Sequence, residues 1–213
     1  MKYKSCTEYW LDTDTVTLRG EFEEMYRDIN DPWGCQKGAM SLNNRIFTEM
    51  LFDGRNFEKI WDVGCGLGGF TNYIFKRNGG GKIIACDTSA TAVKKASFSY
   101  PYIDFRCMNI LTDEPDSLEY FDLIVANEIL WYLLDGLRGV FAKFAKVLCG
   151  RGVLAIHQYF PSEQRYGKEI IKGLEGFETF LKNNSAFIYE NKVVSYHEEG
   201  LVLLSTLKKK PGE

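Results

Sequence analysis

The chain has 213 residues, with 26 basic and 29 acidic side chains and a net charge of −3. At 45% hydrophobic and 26% charged residues it has the composition of a folded domain, which excludes a disordered chain. The lack of excess positive charge also argues against nucleic acid as a partner, because phosphates must be neutralised by Lys and Arg.

Met1–Glu8 starts basic but has no apolar run behind it, so it does not read as a signal peptide. Leu123–Leu134 is interrupted by Asn127 and Glu128 and is too short to span a membrane. The expectation is a cytoplasmic protein with no membrane partner. The six cysteines (Cys6, Cys35, Cys65, Cys86, Cys107 and Cys149) lack metal-ligand spacing and read as reduced thiols, with no metal site.

Phe22, Met25, Tyr26 and Ile29 fall on one face of a short helix, which Asn30-Asp31-Pro32-Trp33-Gly34 ends as a turn. Ser41 is an N-cap candidate for a second helix reaching Leu51. From there strands and helices alternate. Strands are expected at 59–63, 82–87, 103–107, 121–126, 153–158, 186–189 and 201–207. Helices are expected at 70–77, 89–99, 137–148 and 170–181, and Lys208–Lys210 reads as a solvated tail. This alternation predicts an α/β fold, a doubly wound Rossmann-like sheet of about seven strands. Residues 1–45 are expected to form an N-terminal helical cap or lid on a domain spanning 46–213.

Doubly wound sheets bind ligands beyond the carboxyl ends of their strands. At the first such end lies Asp62-Val63-Gly64-Cys65-Gly66-Leu67-Gly68-Gly69, where glycines allow a sharp turn and close approach to a ligand. Gly64, Gly66 and Gly69 also satisfy the dinucleotide pattern, which keeps a nicotinamide oxidoreductase open. Asp62, however, would repel a pyrophosphate and suits a ligand carrying an ammonium group. Asp87, ending the next strand, can accept two ribose hydroxyls in either case. The strand at 121–126 leads into Asn127 and Glu128.

On these residues the chain resembles class I S-adenosylmethionine-dependent methyltransferases from about Ile60 to Phe160. Asp62-x-Gly64-x-Gly66-x-Gly68 matches the first motif of that family, and Asp87 its ribose-binding acid. Asn109-Ile110 stands where the family has Asp-Ile/Val, whose side chain meets the adenine amine. Gly150-Arg151-Gly152 stands in for its Pro-Gly-Gly turn. Asn127-Glu128-Ile129-Leu130 is not the Asp/Asn-Pro-Pro-Tyr motif of members that methylate nucleic-acid amines. The resemblance implies S-adenosyl-L-methionine as cofactor and S-adenosyl-L-homocysteine as product. It implies cofactor contacts from Asp62, Gly64, Cys65, Gly66, Gly68, Asp87, Thr88, Asn109, Ile110, Asn127, Glu128 and Trp33.

Asp31-Pro32-Trp33 together with Glu128-Ile129-Leu130-Trp131-Tyr132-Leu133 is similar to the nodulation-type saccharide N-methyltransferases. That similarity implies a small acceptor, a saccharide or amino sugar, methylated on nitrogen or oxygen. His157, at the end of the fifth strand, and Glu128 are the expected proton acceptors. Tyr132, one helical turn after Glu128, is expected to face the same cleft. The competing reading is a non-catalytic protein that keeps the fold as a binding surface.

Overall fold

The computed structural model describes residues 2–34, 41–115 and 120–210. Cys35, one of the cysteines read as reduced thiols, lies outside them. The chain opens with α1 (Thr7–Trp10), two short paired strands β1 (Leu11–Asp12) and β2 (Thr17–Leu18), and α2 (Phe22–Asp28). Next come α3 (Leu42–Phe52), β3 (Lys59–Val63), α4 (Gly69–Arg77), β4 (Lys82–Asp87), α5 (Ala90–Ser99), β5 (Asp104–Cys107) and β6 (Phe121–Asn127). The chain then forms α6 (Leu137–Val147), β7 (Leu148–Pro161), α7 (Gly173–Asn184), β8 (Phe187–His197) and β9 (Gly200–Lys209).

Seven strands form one sheet in the order β5-β4-β3-β6-β7-β9-β8. The first five in that order are parallel, while β9 runs antiparallel to both β7 and β8. Only Glu198 and Glu199 separate β8 from β9, and so short a connection allows only antiparallel pairing. The parallel strands are apolar on both sides because helices cover both faces. Ile60, Leu123, Val125 and Ala155 pack with α3 and α4, while Trp61, Ile124, Leu154 and Ile156 pack with α6 and α7. The chain leaves β3 to one side through β4 and β5 and returns on its other side as β6. The crevice beyond the carboxyl ends of β3 and β6 is therefore the switch point where ligands settle.

The N-terminal segment sits over that crevice. Tyr9, Met25 and Tyr26 form a small core with Leu67 of the glycine loop and Ala92 of α5. Glu23 fixes the contact, its carboxylate accepting from the Ser89 hydroxyl (2.7 Å), the Thr91 amide (3.0 Å) and the Thr91 hydroxyl (2.6 Å). These donors lie at the amino end of α5, where a negative charge is favoured. Lys95 Nζ donates to the Tyr26 carbonyl at 2.6 Å.

The expected boundary at residue 45 falls inside α3, whose Phe47, Leu51 and Phe52 belong to the core under the main sheet. Ser41 caps α3 as expected, its hydroxyl accepting from the Asn44 amide at 3.1 Å. Two strands run longer than expected. β7 begins at Leu148 rather than 153, passing through Gly150-Arg151-Gly152 with a register shift against β6, and β8 continues to His197. The expected tail is also placed: β9 reaches Lys209, and Lys210 Nζ donates to the carbonyls of Leu181, Lys182 and Ser185 at the end of α7. Among the described residues no helix is long and apolar enough to cross a membrane.

Candidate active site

A cavity of about 670 Å³ opens at the switch point. Its floor is the loop after β3. Asp62 is only 2% exposed and accepts from the Thr71 hydroxyl at 2.6 Å. Burial pushes its carboxyl up to about 6; the Thr71 bond opposes this and the charge of Asp87 adds to it. Asp87 is also buried, accepting from the Ser89 amide through Oδ1 and the Gly66 amide through Oδ2, both at 2.9 Å. Burial raises its pKa as well, against those two amide bonds. Two buried carboxylates therefore border one cavity, and no Lys, Arg or His among the described residues lines it. Buried charge needs a counter-charge. A ligand with an ammonium and a sulfonium supplies one, so the donor set fits S-adenosylmethionine.

The glycines divide into two roles. Gly66 has φ +53°, and a Cβ there would stand 2.7 Å from the Tyr26 hydroxyl. Its bareness lets the loop lie against the N-terminal segment. Gly68, expected to touch the cofactor, does not line the cavity. It caps α4 in a left-handed conformation, and a Cβ there would meet the Phe105 ring at 2.7 Å, so its role is packing.

Gly64, Cys65, Asp87, Thr88, Asn109, Ile110, Asn127, Glu128 and Trp33 all line the cavity, as does Asp62. Asn109 Oδ1 already accepts the Leu111 amide at 3.1 Å, which holds the side chain in a turn and leaves a second lone pair for a ligand amine. Trp33 is 41% exposed and donates from Nε1 to the Tyr26 hydroxyl at 2.9 Å, tying the turn to α2.

Glu128 follows β6 with φ +58°, a left-handed conformation uncommon outside glycine and a frequent mark of functional positions. Its Oε2 accepts from Gln158 Nε2 (3.0 Å) and the Tyr159 amide (3.1 Å). Its side chain keeps 42% of its surface and lines the cavity. Loss of solvent pushes its carboxyl up to about 7, against the Tyr159 bond. Tyr132 closes a short 3-10 turn, Leu130–Tyr132, and its ring meets those of Trp10 (5.3 Å), Phe22 (4.9 Å) and Trp33 (6.3 Å). Both Glu128 and Tyr132 face the cavity, as their spacing predicts.

His157 departs from expectation. It is 4% exposed, lies behind the cavity wall against the Phe47 ring, and is absent from the lining. Its Nδ1 meets Asn127 Oδ1 at 2.5 Å, while Nε2 lies 3.4 Å from Glu128 Oε1 without a hydrogen-bond partner. Burial lowers its pKa to about 4, so it stays neutral. The physical reason is strand parity. Residue 157 points to the helix-covered side that holds α3, whereas Asn127 and Glu128 turn off the end of β6 into the crevice.

Three contributors escaped the sequence reading. Gln158 holds Glu128, Glu23 anchors the segment above the cavity, and Tyr26 bridges Trp33 and the glycine loop. The helical periodicity placed Tyr26 on a buried face but carried no sign of its hydroxyl's partner.

Residues 61–154 match the family model described as a methyltransferase domain. The chain is 31% identical over 176 residues to trans-aconitate 2-methyltransferase of Escherichia coli O7:K1 (strain IAI39 / ExPEC), covering 75% of this chain and 66% of the relative. It spans between 34% and 66% of the length of the curated relatives it matches. Among solved structures, the N-methyltransferase NodS from Bradyrhizobium japonicum WM9 in complex with S-adenosyl-L-homocysteine superposes with a TM-score of 0.71. It shares 18% identity and covers 89% of this chain and 98% of that one. A TehB-like methyltransferase from Corynebacterium glutamicum ATCC 13032 Kitasato gives 0.62 at 20% identity, covering 89% and 96%. At such identities these structures speak for the fold, and the family match speaks for the glycine loop within it. Residues 61–154 carry a methyltransferase domain, on a sheet with the fold of the class I S-adenosylmethionine-dependent methyltransferases.

Proposed function

We propose that this protein transfers a methyl group from S-adenosylmethionine to a nitrogen or oxygen of a small molecule, with a saccharide or amino sugar among the acceptors that fit. One observation carries the reading. A single cavity of about 670 Å³ is lined at one end by Asp62, Gly66 and Asp87 and at the other by Glu128, Trp131 and Tyr132, so cofactor and acceptor share one compartment. That volume is in the range for small-molecule sites, about 300–1,000 Å³. The aromatic wall offers flat apolar faces on which a sugar ring can stack.

Bound S-adenosylmethionine supplies an electrophilic methyl group on a sulfonium. The protein's share is alignment and exclusion of water. Asp62 faces the amino group and Asp87 the ribose hydroxyls. Residues 2–34 serve as the cap, held down by Glu23 and Tyr26. Glu128 receives the acceptor's proton or orients the acceptor; His157 acts through Asn127 and Glu128 as a positioning residue. NodS is described as an N-methyltransferase, which agrees with a nitrogen acceptor.

The test is calorimetric titration with S-adenosylhomocysteine, followed by a turnover screen of amines, amino sugars and alcohols with methyl-labelled cofactor. Binding together with labelled product supports the reading. Binding without any turnover supports a non-catalytic protein. Preference for a reduced nicotinamide dinucleotide supports an oxidoreductase.

A further inference from the structure

Resting on the methyltransferase reading, we propose that the acceptor is an amine, selected over acids by the Glu128 carboxylate and the aromatic wall of Tyr132, Trp131 and Trp33. Three observations converge on it. The first is charge. Asp31, Asp62, Asp87 and Glu128 line the cavity, and no Lys, Arg or His does so among the described residues. Two of these carboxylates lie at the cofactor end. Asp31, in the turn before Trp33, and Glu128 are the two that remain, and Glu128 is the one beside Trp131 and Tyr132.

The second is the geometry of Glu128. Gln158 Nε2 and the Tyr159 amide both bind Oε2, so the carboxylate is fixed through one oxygen. Oε1 receives no hydrogen bond from the described residues, and its polar neighbour is the neutral His157 ring edge at 3.4 Å. A carboxylate oxygen held in place and lining the cavity is a site for N–H donors. A carboxylate ligand would meet a like charge at that oxygen.

The third is the wall. Tyr132, Trp33 and Phe22 line the cavity, the Tyr132 ring meeting the other two, and Trp131 is held by its Nε1 donating to the Tyr159 carbonyl at 2.9 Å. Rigid aromatic faces beside a carboxylate are the arrangement that recognises ammonium and methylammonium groups. The same wall tolerates the methylated product, whose added methyl is apolar.

The chemistry balances. The bound ammonium gives one proton to Glu128 and becomes a neutral amine. Its lone pair forms the carbon–nitrogen bond as the carbon–sulfur bond breaks, and that electron pair stays on sulfur. The product is a methylammonium, and Glu128 returns its proton to solvent, so one proton is released per methyl transferred. The trans-aconitate relative takes, by its name, a polycarboxylate. The cavity here is built for the opposite charge.

The test uses the full chain saturated with S-adenosylhomocysteine, reading tryptophan fluorescence on addition of benzylamine, benzyl alcohol or benzoate, and of glucosamine, glucose or glucuronate. Each amine should bind about 10- to 100-fold more tightly than its matched alcohol, the scale of a hydrogen bond to a charged group, and each acid more weakly still. Glu128→Gln should abolish that preference in a chain that calorimetry shows still binds S-adenosylhomocysteine; Tyr132→Leu should reduce it in a chain that keeps the carboxylate. Equal or tighter binding of the acids, or an unchanged amine preference in Glu128→Gln, overturns the proposal. Failure of S-adenosylhomocysteine itself to bind overturns the methyltransferase reading and this proposal with it.

Discussion

Glu23 offers the sharpest test of how the N-terminal segment is held. Its carboxyl is lowered from 4.5 to about 2, first by the Thr91 hydroxyl and amide, with burial opposing and the Ser89 hydroxyl assisting. A lowering from 4.5 to about 2 corresponds to a ceiling of about 3.4 kcal/mol. The side chain is 33% exposed, so solvent screening reduces the expected contribution to about 1–2 kcal/mol. The sign follows from the lowered pKa. The contribution is complete above the unfolded value near 4.5 and is lost as pH falls from there towards 2. Glu23→Gln should therefore raise the opening of α2 and the first turn of α5 about 5- to 30-fold, read by hydrogen exchange corrected for intrinsic rates. S-adenosylhomocysteine should suppress that opening if the segment closes over the cofactor. Exchange in Glu23→Gln within twofold of the parent at pH 7 would refute the reasoning.

Asp87→Ala should weaken S-adenosylmethionine binding by about 1–3 kcal/mol in calorimetry, because it removes a buried charged acceptor and strands the Gly66 and Ser89 amides. Gly66→Val should abolish cofactor binding and speed protease cleavage near Trp33, since a Cβ displaces the Tyr26 hydroxyl on which Trp33 rests. His157→Asn should keep turnover within about tenfold, against the 10²–10⁴-fold loss expected of a general base. It should also remove a stability slope: with a pKa lowered to about 4, neutral His157 disfavours protonation in the folded state, so stability falls as pH drops from about 6.5 towards 4.

The parallel half of the sheet was legible because its strands are buried on both faces and read as short apolar runs, as in Ile83-Ile84-Ala85-Cys86 and Leu123-Ile124-Val125-Ala126. β8 was legible only at its start. It is the edge strand, and Glu190, Asn191, Lys192, Val193, Tyr196 and His197 are exposed, so burial leaves no pattern to read. Gly150-Arg151-Gly152 misled for the converse reason. Glycines that normally end a helix here carry the chain through an irregular entry into β7. β1 and β2, at two residues each, are too short for any period to show.

At the site, a place on the cavity wall was legible for residues at strand ends, which covers Asp62, Asp87, Asn109 and Glu128. What could not be read was that β7 runs on to Pro161, so that His157 lies within the strand and its direction is set by strand parity. Asn127 and His157 are paired in register, yet Asn127 lines the cavity and His157 does not. A titratable residue at the end of the fifth strand looks like a base only while its orientation is unknown. The same limit hid Gln158, one residue on, where strand parity reverses and the side chain reaches Glu128. Sequence position therefore named the right pair of strands and the wrong member of the second. His157 packs behind the wall, and its neighbour on the same strand fixes the carboxylate on which the proposed chemistry depends.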